Sequence, residues 1–401
     1  HDTYGFPIDL TREISETAGH AVDMDAFQAA MDAQKERARK SANRDAWGQA
    51  NNVWTALSDR LPKTEFTGYD SDELEGAKVL AIVADGEEVK SAEAGDEVEV
   101  VLDRTPFYAE MGGQIGDTGT LSGVSARLAV TDTKGKGGMS AHVATVEEGE
   151  LHVGDALDCA VDHGRRELIR RNHTATHLLD AALKQVLGDH VNQAGSLVEP
   201  DRLRFDFTHF EALTEDELER VERLLNAEIC AAEPIVTKVM GLEEAKASGA
   251  VALFGEKYGD TVRVVSTGES DHPFSRELCG GTHARNTAEL GFFKIVSESS
   301  VGSNARRIEA VTSAGAVEYV DERLSILNDV ASELKCQPKD VLSRIGALQQ
   351  ELRAAELKAE GRRYGSSSAP VAPAVKAAEQ LEGDKCVFAK LALLSGTENR
   401  Q

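Results

Sequence analysis

The chain has 401 residues, 41% of them apolar and 28% charged, enough for two to four domains with real cores. No apolar run approaches the roughly 20 residues that cross a bilayer, and the opening residues mix charge, Gly and Pro, so neither a membrane span nor a signal peptide is expected. The formal net charge of -25 excludes a broadly basic nucleic-acid-binding surface and leaves room only for a local one.

Residues 1–60 read as helical after an irregular start at Gly5-Phe6-Pro7. Phe27 and Met31 share a stripe there, and Lys35, Arg37, Arg39 and Lys40 make its end basic. Between 61 and 160 the pattern turns to strands. Runs at 78–83 and 97–103 are short and β-branched, and Asp85-Gly86 and Ala94-Gly95 are turn signals. Further strands punctuated by Gly suggest a small β-barrel.

Residues 161–315 alternate helices with strands. One helix covers 165–177, and another covers 215–232 with Leu218, Val221, Leu224 and Leu225 at core spacing. Strands are expected at 203–207, 234–240, 262–266 and 291–297, in an α+β layer whose helices cover a sheet. Residues 316–364 turn helical again. Pro338 suits a first helical turn, and Val341, Ile345, Leu348 and Leu352 form a short heptad seam. That seam fits either a two-helix arm packed on itself or self-association. Residues 365–401 read as a flexible linker at 365–370 and the opening of a further domain that stops mid-fold. The start at His1 rather than Met points to a fragment or a processed product. Five scattered Cys, an odd number, argue against a disulfide framework and for a reducing cytoplasm.

Two motifs carry the chemistry. His173 and His177 lie four residues apart, on one face of a helix, so both can reach one ion. Cys279-Gly280-Gly281-Thr282-His283 brings two more ligands together through a glycine turn. A His, His, Cys, His set suits Zn2+, and ligands drawn from distant elements place the ion between packed layers. On the same helix Arg166 and Arg170 precede the histidines at i, i+4, i+7 and i+11. The two arginines make either a solvated basic face or a path for RNA toward the metal.

The stretches Arg171-Asn-His-Thr-Ala-Thr-His-Leu-Leu179 and Cys279-Gly-Gly-Thr-His283 resemble the editing domain of alanyl-tRNA synthetases. The similarity extends to residues 1–11, to 104–114 with Gly112-Gly113-Gln114, to Gln193-Ala-Gly-Ser-Leu197 and to 302–309. It implies a fold class of α+β: a small β-barrel followed by a zinc-containing two-layer α/β editing domain, with helical segments at both ends. By the same resemblance, 1–60 is the tail of a tRNA-recognition domain, 61–160 the barrel, 161–315 the editing core and 316–364 a helical arm.

The chain shows neither a Walker-type phosphate loop nor class II adenylation motifs, so ATP-dependent aminoacylation is expected elsewhere in such a protein. The resemblance implies hydrolysis of seryl or glycyl esters on tRNA(Ala) instead, at the aminoacylated 3′ end, in the cytoplasm, with homodimers in the full-length family. Gln193 matches a family position beside the metal; its bland alternative is a surface turn. Thr174 and Gln114 are further catalytic candidates, Gln114 with a structural turn as its alternative. Arg204, Asp206 and Glu277 are candidates for binding the terminal adenosine or supporting the ligands. A freestanding trans-editing hydrolase and a noncatalytic, zinc-stabilised RNA-binding module remain as rival readings.

Overall fold

The computed structural model describes residues 26–27, 50–252, 258–268, 271–302 and 304–365. The readings for 1–25, 28–49 and 366–401, among them the basic end at 35–40 and most of the linker, lie outside the described residues. The chain divides into two compact units, His1–Glu318 and Tyr319–Gln401.

The described part of the first unit opens with α1 (Ala50–Arg60) and β1 (Glu65–Phe66). Then come β2 (Glu73–Ala84), β3 (Glu87–Val89), β4 (Ser91–Glu93), β5 (Glu97–Leu102), β6 (Arg104–Thr105), β7 (Gly119–Ser122), β8 (Ala126–Lys136), β9 (Met139–His152) and β10 (Ala156–Val161). Six of these pair in the order β10-β7-β8-β9-β5-β2, and β10 also pairs with β2, which closes the barrel. The expected turns appear where the strands reverse, with Asp85, Gly86 and Gly95 all at positive φ.

The apolar run in β2 is continuous because both of its faces are covered. Val79 joins Val100, Leu102, Leu128 and Val146 in the barrel interior, while Ala81 and Val83 pack outside it under Trp54 and Leu57 of α1. His142 is sealed within the barrel, fully buried between Thr105 Oγ1 at 2.7 Å and Val100 O at 2.8 Å.

The rest of the first unit is built from α2 (His163–Leu187), β11 (Gln193–Val198), β12 (Leu203–Thr208), α3 (Glu215–Ala231), β13 (Ile235–Gly241), α4 (Leu242–Ala247), β14 (Thr261–Thr267), β15 (Arg276–Leu278), β16 (Phe293–Gly302) and β17 (Ala305–Thr312). Asp162 caps α2 by accepting from Arg165 N, and Thr214 with Glu217 forms a capping box on α3. Alternation along β12 sends Leu203, Phe205 and Phe207 into a core shared with Leu178, Leu179 and Leu183 of α2 and Val221, Leu225 and Ile229 of α3.

Where one sheet was expected, the strands form two: β11-β12-β17-β16 and β13-β14-β15, both antiparallel. The break follows α3, where Ala232 takes a left-handed conformation and Pro234 follows, so the chain leaves in a new direction. Among the described residues no helix is long and apolar enough to cross a membrane.

α5 (Ser313–Glu333) begins in the first unit, and the second continues it, followed by a single 3-10 turn at Pro338–Asp340 and α6 (Val341–Gly365). Pro338 stands at the start of that 3-10 turn, ahead of α6 itself. Of the seam residues, Val341 is buried, Leu348 is half-buried, and Ile345 and Leu352 are exposed.

Candidate metal centre

α2 carries His173 and His177 on one face, and the turn after β15 brings Cys279 and His283 against them. One potential ligand atom from each of the four lies within 4.8 Å of all the others. Cys279 Sγ is 3.4 Å from His173 Nε2 and 3.3 Å from His283 Nε2.

Two of the imidazoles have their other nitrogen hydrogen-bonded, and the third faces a carboxylate. His173 Nδ1 meets Gln114 Oε1 at 2.7 Å, His283 Nδ1 meets Thr174 Oγ1 at 3.2 Å, and His177 Nδ1 lies 2.5 Å from Glu277 Oε2. The His177–Glu277 contact is an ion-pair distance with poor hydrogen-bond alignment, and Nδ1 has no better partner. Held this way, the three rings can each turn Nε2 toward the thiol, as a metal-binding histidine does when a carboxylate, amide or hydroxyl fixes its tautomer.

For Cys279 and His283 the electrostatics agree with ligation, whereas His177, held protonated in the metal-free chain, would release a proton to an ion. Burial opposes ionisation of Cys279, but His173, His177 and His283 outweigh it and hold the thiol well below its usual range. Burial, with His173 adding to it, pushes His283 down to about 3. Burial would also lower His177, yet Glu277 and Cys279 raise it well above the usual imidazole range. A thiolate beside neutral His283 is the protonation that metal ligation requires. Glu277 also lines a cavity of about 360 Å3 with Asp180, Lys184, Phe274 and Arg276. Burial and the Glu277 carboxylate push Asp180 up to about 6, against the pull of Lys184.

The glycine turn is needed as drawn. A Cβ on Gly281 would fall on the His173 ring and against Gln114 Oε1. Gln114 is fully buried: its Oε1 also accepts from Thr282 N at 3.0 Å, and its Nε2 donates to Thr282 Oγ1 at 2.9 Å. Thr174 is equally enclosed and accepts from Ala284 N at 3.0 Å. Both were expected as catalytic groups; the structure shows them buried and hydrogen-bonded to His173, Thr282 and His283.

Gln193 lies on β11, opposite Phe207. Its Nε2 donates to Ser196 Oγ at 3.1 Å, and Gly113 packs so closely on Ser196 that no Cβ would fit there. Gln193 is therefore tied to the loop that carries Gln114, and among the described residues its side-chain hydrogen bond goes to Ser196 and not to the four candidate ligands.

The arginines expected to guide RNA need correction. Arg166 is fully buried, with all five N–H groups used. Its guanidinium bonds both Asp117 carboxylate oxygens, Asp72 Oδ1 at 3.4 Å, Gly68 O at 3.1 Å and Pro106 O at 2.7 Å. Arg170, its side chain 10% exposed, is held by Asp72 and Glu167. The face that a helical wheel shows as open is covered by the barrel, so these arginines pin the barrel to α2 and offer phosphate nothing.

Arg204 and Asp206 alternate with the core residues of β12, on the sheet face away from α2. Asp206 there accepts a fork from Arg307 at 2.7 and 2.8 Å. The structure thus keeps Arg204 and Asp206 apart from the ligand helix, while Glu277 stands beside His177.

Sequence reasoning missed Tyr69 and Arg263. Tyr69 donates to Gly280 O at 2.5 Å across 211 residues of chain. Arg263 donates to Cys279 O at 3.0 Å and Gly281 O at 2.9 Å, with its guanidinium 4.2 Å from the centre of the Tyr69 ring. No local pattern marks either residue.

Residues 1–165 match the family model "tRNA synthetases class II (A)", and 262–309 match "Threonyl and Alanyl tRNA synthetase second additional domain". The chain is 48% identical over 363 residues to an alanine–tRNA ligase of Rhizobium meliloti, covering 89% of this chain and 41% of that protein. It is 46% identical over 391 residues to an alanine–tRNA ligase of Thermoanaerobacter, covering 98% of this chain and 44% of that protein. The chain thus spans about two fifths of the length of these relatives. With both matched regions in place and 46–48% identity over most of its length to alanine–tRNA ligases, the chain belongs to the alanyl-tRNA synthetase family.

Proposed function

We propose that this chain is an editing hydrolase of tRNA(Ala), which cleaves the ester of wrongly attached serine or glycine at a zinc centre held by His173, His177, Cys279 and His283. The observation that carries the reading is the set of three imidazoles converging on one thiol, with Nδ1 of His173 and His283 bonded to Gln114 and Thr174 and that of His177 facing the Glu277 carboxylate. A zinc ion bound there would polarise a carbonyl and lower the pKa of a nearby water.

The chain's own residues supply the rest. Gln114, Thr174 and Glu277 fix the rings, and the clamped Cys279–His283 turn fixes the thiol. Gln193 offers an amide that both donates and accepts, suited to the hydroxyl that serine has and alanine lacks. A polar pocket left unpaired by the correct amino acid discriminates by as much as ~10^4. Four protein ligands also make a closed shell, which favours a second reading as a noncatalytic RNA-binding module with structural zinc.

The deciding test is ATP-free hydrolysis of seryl-tRNA(Ala) by the chain, with and without zinc. We expect zinc-dependent release of serine while alanyl-tRNA(Ala) is spared. Gln193→Ala should keep zinc and lose activity or selectivity. A folded, zinc-loaded chain that leaves both esters intact at high concentration fits the noncatalytic module and removes the hydrolase reading.

A further inference from the structure

Three consecutive carbonyls of the metal-binding turn are held by two side chains that no ligand motif contains. Cys279 O and Gly281 O accept from one nitrogen of Arg263, and Gly280 O between them accepts from the Tyr69 hydroxyl. The two clamping groups are themselves joined, guanidinium over phenol ring. Arg263 comes from β14, beside the turn in the sheet. Tyr69 comes from the segment that leads into the barrel, where its ring packs edge-on against Phe66.

The barrel reaches the same centre a second time through Gln114, which bonds His173 on one side and Thr282 on the other. The segment carrying Tyr69 is anchored from behind, because Gly68 O accepts from the buried Arg166 of the ligand helix.

We propose that the barrel is a working part of the metal centre: Tyr69, clamped with Arg263, positions the Cys279–His283 turn for the ion, so that metal binding and barrel docking are thermodynamically linked. The inference rests on the metal-centre reading but not on hydrolysis of any ester. Without the clamp, a turn containing two adjacent glycines has many conformations in which Cys279 and His283 point apart. Each pinned carbonyl removes some of them before the ion arrives. Linkage is reciprocal, so whatever docking contributes to metal affinity, metal binding returns to docking.

The experiment uses the full chain, loaded with Co2+ as a spectroscopic probe and with Zn2+ for affinity by chelator competition. Tyr69→Phe keeps the ring and its packing and deletes only the hydroxyl. Arg263→Lys keeps the charge and loses the planar guanidinium that lies over the Tyr69 ring. Each is expected to lower metal affinity at least about tenfold, as loss of an orienting partner does, and to alter the thiolate-to-cobalt absorption band. A role limited to general folding would leave that band in place. The reciprocal arm is amide hydrogen exchange: metal loading should slow exchange in the 67–72 segment of the wild-type chain and do so less in Tyr69→Phe.

If the variants are folded by circular dichroism and bind metal with wild-type affinity and an unchanged cobalt spectrum, the clamp proposal is overturned while the metal centre stands. A variant that fails to fold without metal sends the decision to the exchange arm, where no metal-dependent protection of 67–72 overturns the linkage. A wild-type chain that binds neither ion overturns both readings. A chain that shows the affinity loss yet hydrolyses nothing supports the clamp and sinks only the hydrolase reading.

Discussion

The two halves of the candidate metal centre are made in different ways. His173 and His177 project from α2, a helix of 25 residues capped at its N-terminus, so the face they share follows from helical spacing. Cys279 and His283 sit on a turn with two glycines, and their directions follow from contacts with Tyr69, Gln114 and Arg263, all distant in sequence. The helical half is a local product and the turn half a tertiary one. A local element tolerates loss of a neighbour; a turn held by remote partners fails when any of them moves.

The largest expected effect comes from Gly281→Ala. The added Cβ would meet the His173 ring, so the turn must withdraw or the ring must rotate away from the thiol. We expect metal binding to be lost outright, read as zinc per chain after dialysis, with α2 still helical by circular dichroism. Retained stoichiometric zinc would show that the turn has more freedom than its packing implies.

Next comes Arg166→Met, which breaks the buried pair with Asp117 and so frees the barrel from the ligand helix. Removing one partner of a buried, hydrogen-bonded pair leaves an uncompensated charge and costs about 3–5 kcal/mol. Urea unfolding should show that loss, with a fall in metal affinity beyond it if the barrel supports the turn half. The exposed pair Arg60–Glu88 is the control, where Arg60→Ala should cost under about 1 kcal/mol.

The same division explains what was legible in the sequence. The cluster of His173, His177, Cys279 and His283 was readable because each pair is local, and the strands at β5, β12, β13 and β14 because alternation or an apolar run marks them. Glu277 could be suspected two residues before Cys279. Tyr69 and Arg263 could not, since they act through contacts that exist only after the barrel docks. Arg166 was misread for the same reason: a helical wheel gives its face but not what covers it, and the acidic partners Asp72 and Asp117 lie 94 and 49 residues away. One sheet was expected where two exist because strand periodicity carries no information about partners. The curvature that closes the barrel is likewise a property of pairing, visible only in the β10–β2 ladder.

The smallest effect tests whether the barrel can be loosened without touching the metal turn. His142 is sealed between Thr105 and Val100, and burial pushes its imidazole down to about 4. Above the ordinary imidazole value of about 6.5 both folded and unfolded chains are neutral at this site, and it adds no pH dependence. Between there and about 4 the unfolded chain takes up a proton that the folded chain refuses, so stability falls as pH falls, by about 2 kcal/mol at pH 5 and about 3 kcal/mol once both forms are protonated. Urea unfolding at pH 7.5 and pH 5 measures the difference, and His142→Gln should flatten it. Metal ligation is also proton-sensitive, so the comparison is made on the metal-free chain, where His142→Gln leaves the ligands and their own titration as they were. An acid-dependent loss identical in the variant and the wild type would assign the effect elsewhere. A flattened profile would show that the barrel carries a titration of its own, separate from the centre it helps to hold.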